Sequence, residues 1–132
     1  MATDLRLSVQ LAASVSPSED PERVLAAMRN VLGGCEYRVE RSPDSIVLSS
    51  DSIRCLQKVQ DQLRDRRVRD AARRLLLRGQ DGETLRLLLN RQAAAAGVIV
   101  VCSSELESPL GPLFLEVQTH DPQGVIDWLT AH

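Results

Sequence analysis

Apolar and polar residues alternate near the start of the chain. Leu5, Leu7, Val9 and Leu11 fall on one side, and Arg6, Ser8 and Gln10 on the other. A period of two predicts a strand with one buried face. The period then changes. Val24, Leu25, Met28, Val31 and Leu32 share one helical stripe. Asp20 supplies the N-cap, Pro21 the first helical position, and Gly33-Gly34 the end. Cys35, Tyr37 and Val39 alternate with acidic and basic neighbours and predict a second strand. Ile46-Val47-Leu48 predicts a third, paired with the second across the turn Ser42-Pro43-Asp44-Ser45.

From Ser52 to Arg78 there is neither Gly nor Pro. Ser50 or Asp51 can cap the helix that opens this stretch. Ile53, Leu56, Val59 and Leu63 form one stripe; Val68, Ala71, Ala72, Leu75 and Leu76 form another. At the helical angle the two are offset by roughly 80°, so the pattern predicts a break near Asp65-Arg66. A single long helix is the alternative. Thr84 to Leu89 reads as a strand, and Asn90 as the cap of a short helix, Arg91 to Ala96, closed by Gly97. Val98 to Cys102 is an apolar, β-branched run and predicts an interior strand. A ten-residue connection, Ser103 to Pro112, leads to a last strand at Leu113, Leu115 and Val117. Asp121-Pro122 then repeats the cap-plus-proline device before a final helix with Val125, Ile126 and Leu129 inward and Trp128 at its edge.

The resulting order is β-α-β-β-α-α-β-α-β-β-α. Strands and helices do not alternate as βαβ units. The order therefore predicts an α+β fold: a mainly antiparallel sheet with helices packed on one face. Leu5–Gln10 and Leu113–Gln118 resemble each other, and each precedes an Asp-Pro helix start. The unequal loops favour two similar solutions to one packing problem over a duplicated unit.

The 132 residues fit a single domain, 1–132, large enough to bury a core without a metal or disulfide staple. No apolar run approaches the length of a membrane span, and the N-terminus shows no signal-peptide core. A cytoplasmic location is expected, with no membrane partner. Cys35, Cys55 and Cys102 are odd in number and widely spaced, and are read as three small buried side chains in a reducing compartment. Neither His120 nor His132 stands near a cysteine, so no metal is expected.

The net charge of −2 hides an asymmetry. Residues 1–53 carry −3, residues 54–91 carry +6, and residues 92–132 carry −5. The bases are arginines except Lys58, and arginine grips phosphate bidentately. A GC-rich genome would also favour arginine, but it does not explain the clustering. Arg66, Arg69 and Arg73 lie along one side of the predicted helix, and Arg67, Arg74 and Arg78 along the neighbouring side, with Arg64 one turn earlier. Such a double row can track phosphates. The competing reading is a solvated face, partly neutralised by the pairs Asp65–Arg69 and Asp70–Arg74.

Arg91 is odd for another reason. It falls in the first turn of a short helix, where the dipole favours acids. With Gln92 beside it, it could hold an anion; otherwise Asn90 simply caps and Arg91 is solvated. Three aromatic residues are too few for a base-stacking platform, so any RNA bound is expected to be structured. No hydrolase, metalloprotease or nucleotide-binding motif is present, and His120, Glu105 and Glu107 have no partner in sequence. No enzyme activity and no cofactor are expected. The segment Ser108-Pro109-Leu110-Gly111-Pro112 reads as a rigid connection or a preshaped recognition loop.

Five separated blocks resemble an archaeal family, uncharacterised protein family 0201. They are SEDPERV at Ser18–Val24, DAARRLLLRG at Asp70–Gly79, LNRQAAAAG at Leu89–Gly97, ESPLGPLFLEV at Glu107–Val117, and DPQGVIDWL at Asp121–Leu129. Asp70, Arg73, Asn90, Gln92, Glu107, Ser108 and Gly111 match the blocks. Arg91 stands where relatives often have lysine, and Ala93–Ala96 is a smaller run than relatives carry. The resemblance implies a fold like that of large-subunit ribosomal protein five. It also implies a relation to RNA-binding proteins with a proposed exosome connection. The joint expectation is non-catalytic binding of structured RNA through Arg66, Arg67, Arg69, Arg73, Arg74, Arg78, Arg91 and Gln92. The alternative is a protein-interaction module or homodimer assembling through a sheet edge or the Pro-rich connection.

Overall fold

The computed structural model describes residues 7–33, 35–65 and 68–131. Among the described residues the order of elements is the one the pattern predicts, with 3₁₀ turns added at Ile53–Leu56 and Glu105–Glu107. Strand β1 spans Leu7–Ser14, helix α1 Pro21–Arg29, β2 Arg38–Ser42 and β3 Ser45–Ser50. A 3₁₀ turn at Ile53–Leu56 leads into α2, Gln57–Asp65. Then follow α3 (Arg69–Arg78), β4 (Thr84–Leu89), α4 (Arg91–Ala95), β5 (Val101–Cys102), β6 (Leu113–Thr119) and α5 (Pro122–Leu129).

The strands form one sheet in the order β2-β3-β1-β6-β4-β5, with every described pairing antiparallel. Alternation decides which face is buried. Val9, Leu11, Ile46, Leu48, Leu85, Leu87, Leu113, Leu115 and Val117 all point to the helical side. There they meet Leu25 and Met28 of α1, Val59 and Leu63 of α2, Leu76 of α3, and Val125 and Ile126 of α5. Each such side chain contributes about 1.5–3 kcal/mol by leaving water. The opposite face carries no helix among the described residues. By register it presents the row Arg38, Ser49, Gln10, Glu116, Arg86, beside the more apolar row Val47, Ala12, Phe114, Leu88. Arg86 and Glu116 pair across strands at 3.2 Å.

The caps are where the sequence puts them. Asp20 accepts from the Glu22 N–H, Asn90 from Ala93 and Asp121 from Gly124. α2 ends at Asp65 and α3 begins at Arg69, on either side of the predicted break. Ser52, rather than Ser50 or Asp51, caps the turn before α2.

Three expectations need correction. Val98 to Cys102 is not an interior strand. Only Val101 and Cys102 pair, on β4 at the sheet edge. Ile99 is apolar because it packs into the core, with its N–H donated to the Gln62 side chain. The second strand starts later than its alternation suggests, and β2 is exposed throughout, a charged edge. Finally, Cys35 and Cys55 are not independent buried thiols. The segment after α1 meets the 3₁₀ turn that precedes α2 and sets their Cα atoms 5.3 Å apart as a disulfide. Cys102 alone is a buried free thiol among the described residues. The pairing removes the inference from reduced cysteines to a reducing compartment. No helix among the described residues is long and apolar enough to cross a membrane.

Candidate functional site

The six described residues of the predicted RNA-contacting set do not form one surface. Arg66 and Arg67 lie outside the described residues, as does the side chain of Asp65 in the expected Asp65–Arg69 pair. Arg69, Arg73, Arg74 and Arg78 stand on α3, which packs on β4 and α5. Gln92 is exposed on α4, which packs instead on α1.

Arg73 is committed within the fold. Its Nη1 donates to Thr130 Oγ1 at 3.1 Å and lies 2.8 Å from Asp127 Oδ1. The bond from Arg73, with a second from Gln123, holds the Asp127 carboxyl below its ordinary range. Arg74 and Arg78 are different. They are exposed, one turn apart, and make no ion pair among the described residues; the expected Asp70–Arg74 pair does not form. Arg69 is half-buried, with its Nε buried and unpartnered.

The Arg91 assignment needs correction. It is neither solvated nor open to an anion, being 5% exposed. Its Nη1 donates to the Ser14 carbonyl at 2.8 Å and to both Glu19 oxygens, at 3.0 and 2.8 Å. Its Nη2 reaches the Pro112 carbonyl at 3.4 Å. The Arg91 N–H donates to Ser108 Oγ, which itself donates to the Gly111 carbonyl. Asn90 Nδ2 reaches the Glu107 carbonyl. Arg91 thus ties together the end of β1, the turn before α1, the start of α4 and the Pro-rich connection. Burial raises the Glu19 pKa, but the Ser16 N–H and the Arg91 guanidinium outweigh it and hold the carboxyl below its ordinary value.

Sequence reasoning flagged Arg91 as misplaced at a helix start but could not find Glu19, 72 residues away. An unexplained cation where the dipole opposes it was the only signal. A cleft of about 440 Å³ opens beside the pair, lined by α1, α4 and Leu110. Leu110 adopts a left-handed backbone (φ 67°) that L side chains rarely take. Arg73 lies far from this constellation in contacts, so Arg73, Asn90, Gln92 and Glu107 do not gather in one pocket.

This architecture defines the class: an α+β domain with an antiparallel six-stranded sheet and helices on one face. The chain belongs to the UPF0201 family. It is 40% identical over 122 residues to the UPF0201 protein of Sulfurisphaera tokodaii, covering 91% of this chain and 84% of that one. It is 36% identical over 131 residues to the UPF0201 protein of Saccharolobus solfataricus, covering 96% and 90%. Its fold is similar to that of the UPF0201 protein from Methanococcus jannaschii, with a TM-score of 0.72 and 21% identity over 94% of this chain and 99% of that one. No family model matches the sequence.

Proposed function

We propose that the chain is a non-catalytic binding protein that engages the phosphate backbone of structured RNA through α3. One observation carries this reading: Arg74 and Arg78 stand exposed one turn apart without an acidic partner among the described residues. They lie in the segment whose sequence carries +6. Two guanidinium groups at this spacing can reach successive phosphates. Arg69, half-buried and about 140° around α3 from Arg74, lies off this row, and Arg73 and Arg91 take no part.

The test is titration of a fluorescent rRNA hairpin over a salt series, beside the variant Arg74→Gln/Arg78→Gln. Affinity should fall linearly in log–log salt, with a slope smaller by about 2 in the variant. No binding at low salt would overturn the reading.

A second reading, protein association through the Pro-rich connection or the adjoining β5 edge, draws on Leu106 and Leu110, which are 96% and 58% exposed. A monomeric mass in solution with no co-purifying partner would count against it.

A further inference from the structure

The cleft beside the Arg91–Glu19 pair lies apart from α3 and shares only Leu110 with the second reading, and its chemistry differs from that of α3. Its volume of about 440 Å³ lies within the range of small-molecule sites. Buried Val24 and Ala27 from α1, together with exposed Ala95 from α4 and Leu110 from the connection, give it an apolar lining. Ser18, Asp20, Arg23 and Gln92 are its exposed polar groups, and Ser18 Oγ is paired with Ser16 Oγ.

The polar groups are unequally committed. Glu19 is engaged by Arg91 and the Ser16 N–H. Asp20 is occupied as the cap of α1. The side chains of Arg23 and Gln92 make no hydrogen bond or ion pair among the described residues. The Nε of Arg91, in the wall, is buried without a partner. Arg23 and Gln92 therefore offer the cleft's free donors above an apolar surface. Leu110 adds an independent sign. The fold holds it in a strained backbone conformation, of the kind concentrated at ligand clamps, and yet leaves its side chain 58% exposed beside the cleft. A ligand with an apolar body would bury it.

We propose that this cleft binds a small organic carboxylate with an aliphatic body. The carboxylate sits on Arg23 and Gln92, and the body packs on Val24, Ala27, Ala95 and Leu110. The Arg91–Glu19 pair fixes the α1 and α4 walls relative to each other and does not itself touch the carboxylate.

The test is an amide NMR titration of the full chain with 4-methylpentanoate, and with 4-methylpentylamine as the probe of reversed charge. Saturable shifts confined to residues near Arg23, Ala27, Gln92, Ala95 and Leu110 are expected with the carboxylate, and none with the amine. Arg23→Gln, at an exposed position, should weaken binding about tenfold while leaving shifts elsewhere unchanged. Ala95→Trp, which fills the cleft from an exposed position, should abolish it. The proposal is overturned if the folded protein shows no saturable shifts at tens of millimolar carboxylate. It is equally overturned if the amine binds as well, or if Arg23→Gln changes nothing.

Discussion

Arg91 and Glu19 form a buried ion pair, Nη1 to Oε2 at 2.8 Å, with side chains 6% and 8% exposed. Coulombic attraction alone seldom repays the desolvation of two charges. Here the Ser14 and Pro112 carbonyls and the Ser16 N–H satisfy much of the remaining hydrogen-bonding capacity. Breaking the pair on one side strands a charge. Arg91→Met should therefore cost about 3–5 kcal/mol in urea unfolding. Glu19→Leu/Arg91→Met should recover most of that loss. A double variant no more stable than the single would show that the pair's role is to satisfy the backbone carbonyls and not to balance charge.

The same pair sets a pH dependence. Folding lowers the Glu19 pKa below its ordinary value of 4.5. The unfolded chain therefore binds the proton more tightly. The contribution is complete above the ordinary value and is lost as pH falls through the lower, folded value. The stability gap between wild type and Glu19→Gln should be constant from about pH 7 to about pH 5.5 and narrow progressively as pH falls below the ordinary value of 4.5. A gap that does not narrow in acid would contradict the assignment.

Cys35 and Cys55 are 20 residues apart in sequence. A crosslink closing a loop of that size stabilises by about 3 kcal/mol, chiefly by restricting the unfolded chain. Dithiothreitol should lower the Tm of the wild type and leave the Tm of Cys35→Ala/Cys55→Ala unmoved. Equal Tm values for the wild type with and without reductant would mean that the bond does not form in solution.

Arg73 and Arg74 are sequence neighbours with opposite expectations. Arg73→Gln removes the contacts to Thr130 and Asp127. Because the pair is largely solvated, this should cost less than about 1 kcal/mol. It should not alter the salt slope of RNA binding, whereas Arg74→Gln should reduce that slope by about 1. Equal changes for both variants would argue against the division of roles on α3.

Leu110 offers a backbone test. At φ 67° a Cβ is unfavourable and glycine is at ease. Leu110→Gly should be more stable than Leu110→Ala by about 1 kcal/mol in chemical unfolding. The reverse order would mean that the left-handed conformation does not persist in solution.

The element order was legible in the local sequence because its causes are local. Alternation marked β1 and β6, and short apolar runs marked β3 and β4. Asp20-Pro21, Asn90 and Asp121-Pro122 marked helix starts through caps that reach only two or three residues. The break between α2 and α3 followed from two stripes that one straight helix cannot bury together. The family could also be read from separated sequence blocks. What the sequence left open depends on contacts between distant segments. Apolarity at Val98–Cys102 reports burial, and burial is the same for an interior strand and for a coil packed into the core. Cysteine spacing does not reveal that the segment after α1 meets the turn before α2. A charge written as Arg is the same letter at positions 73, 74 and 91. Only tertiary structure presents Asp127 to the first, solvent to the second, and Glu19 with two backbone carbonyls to the third.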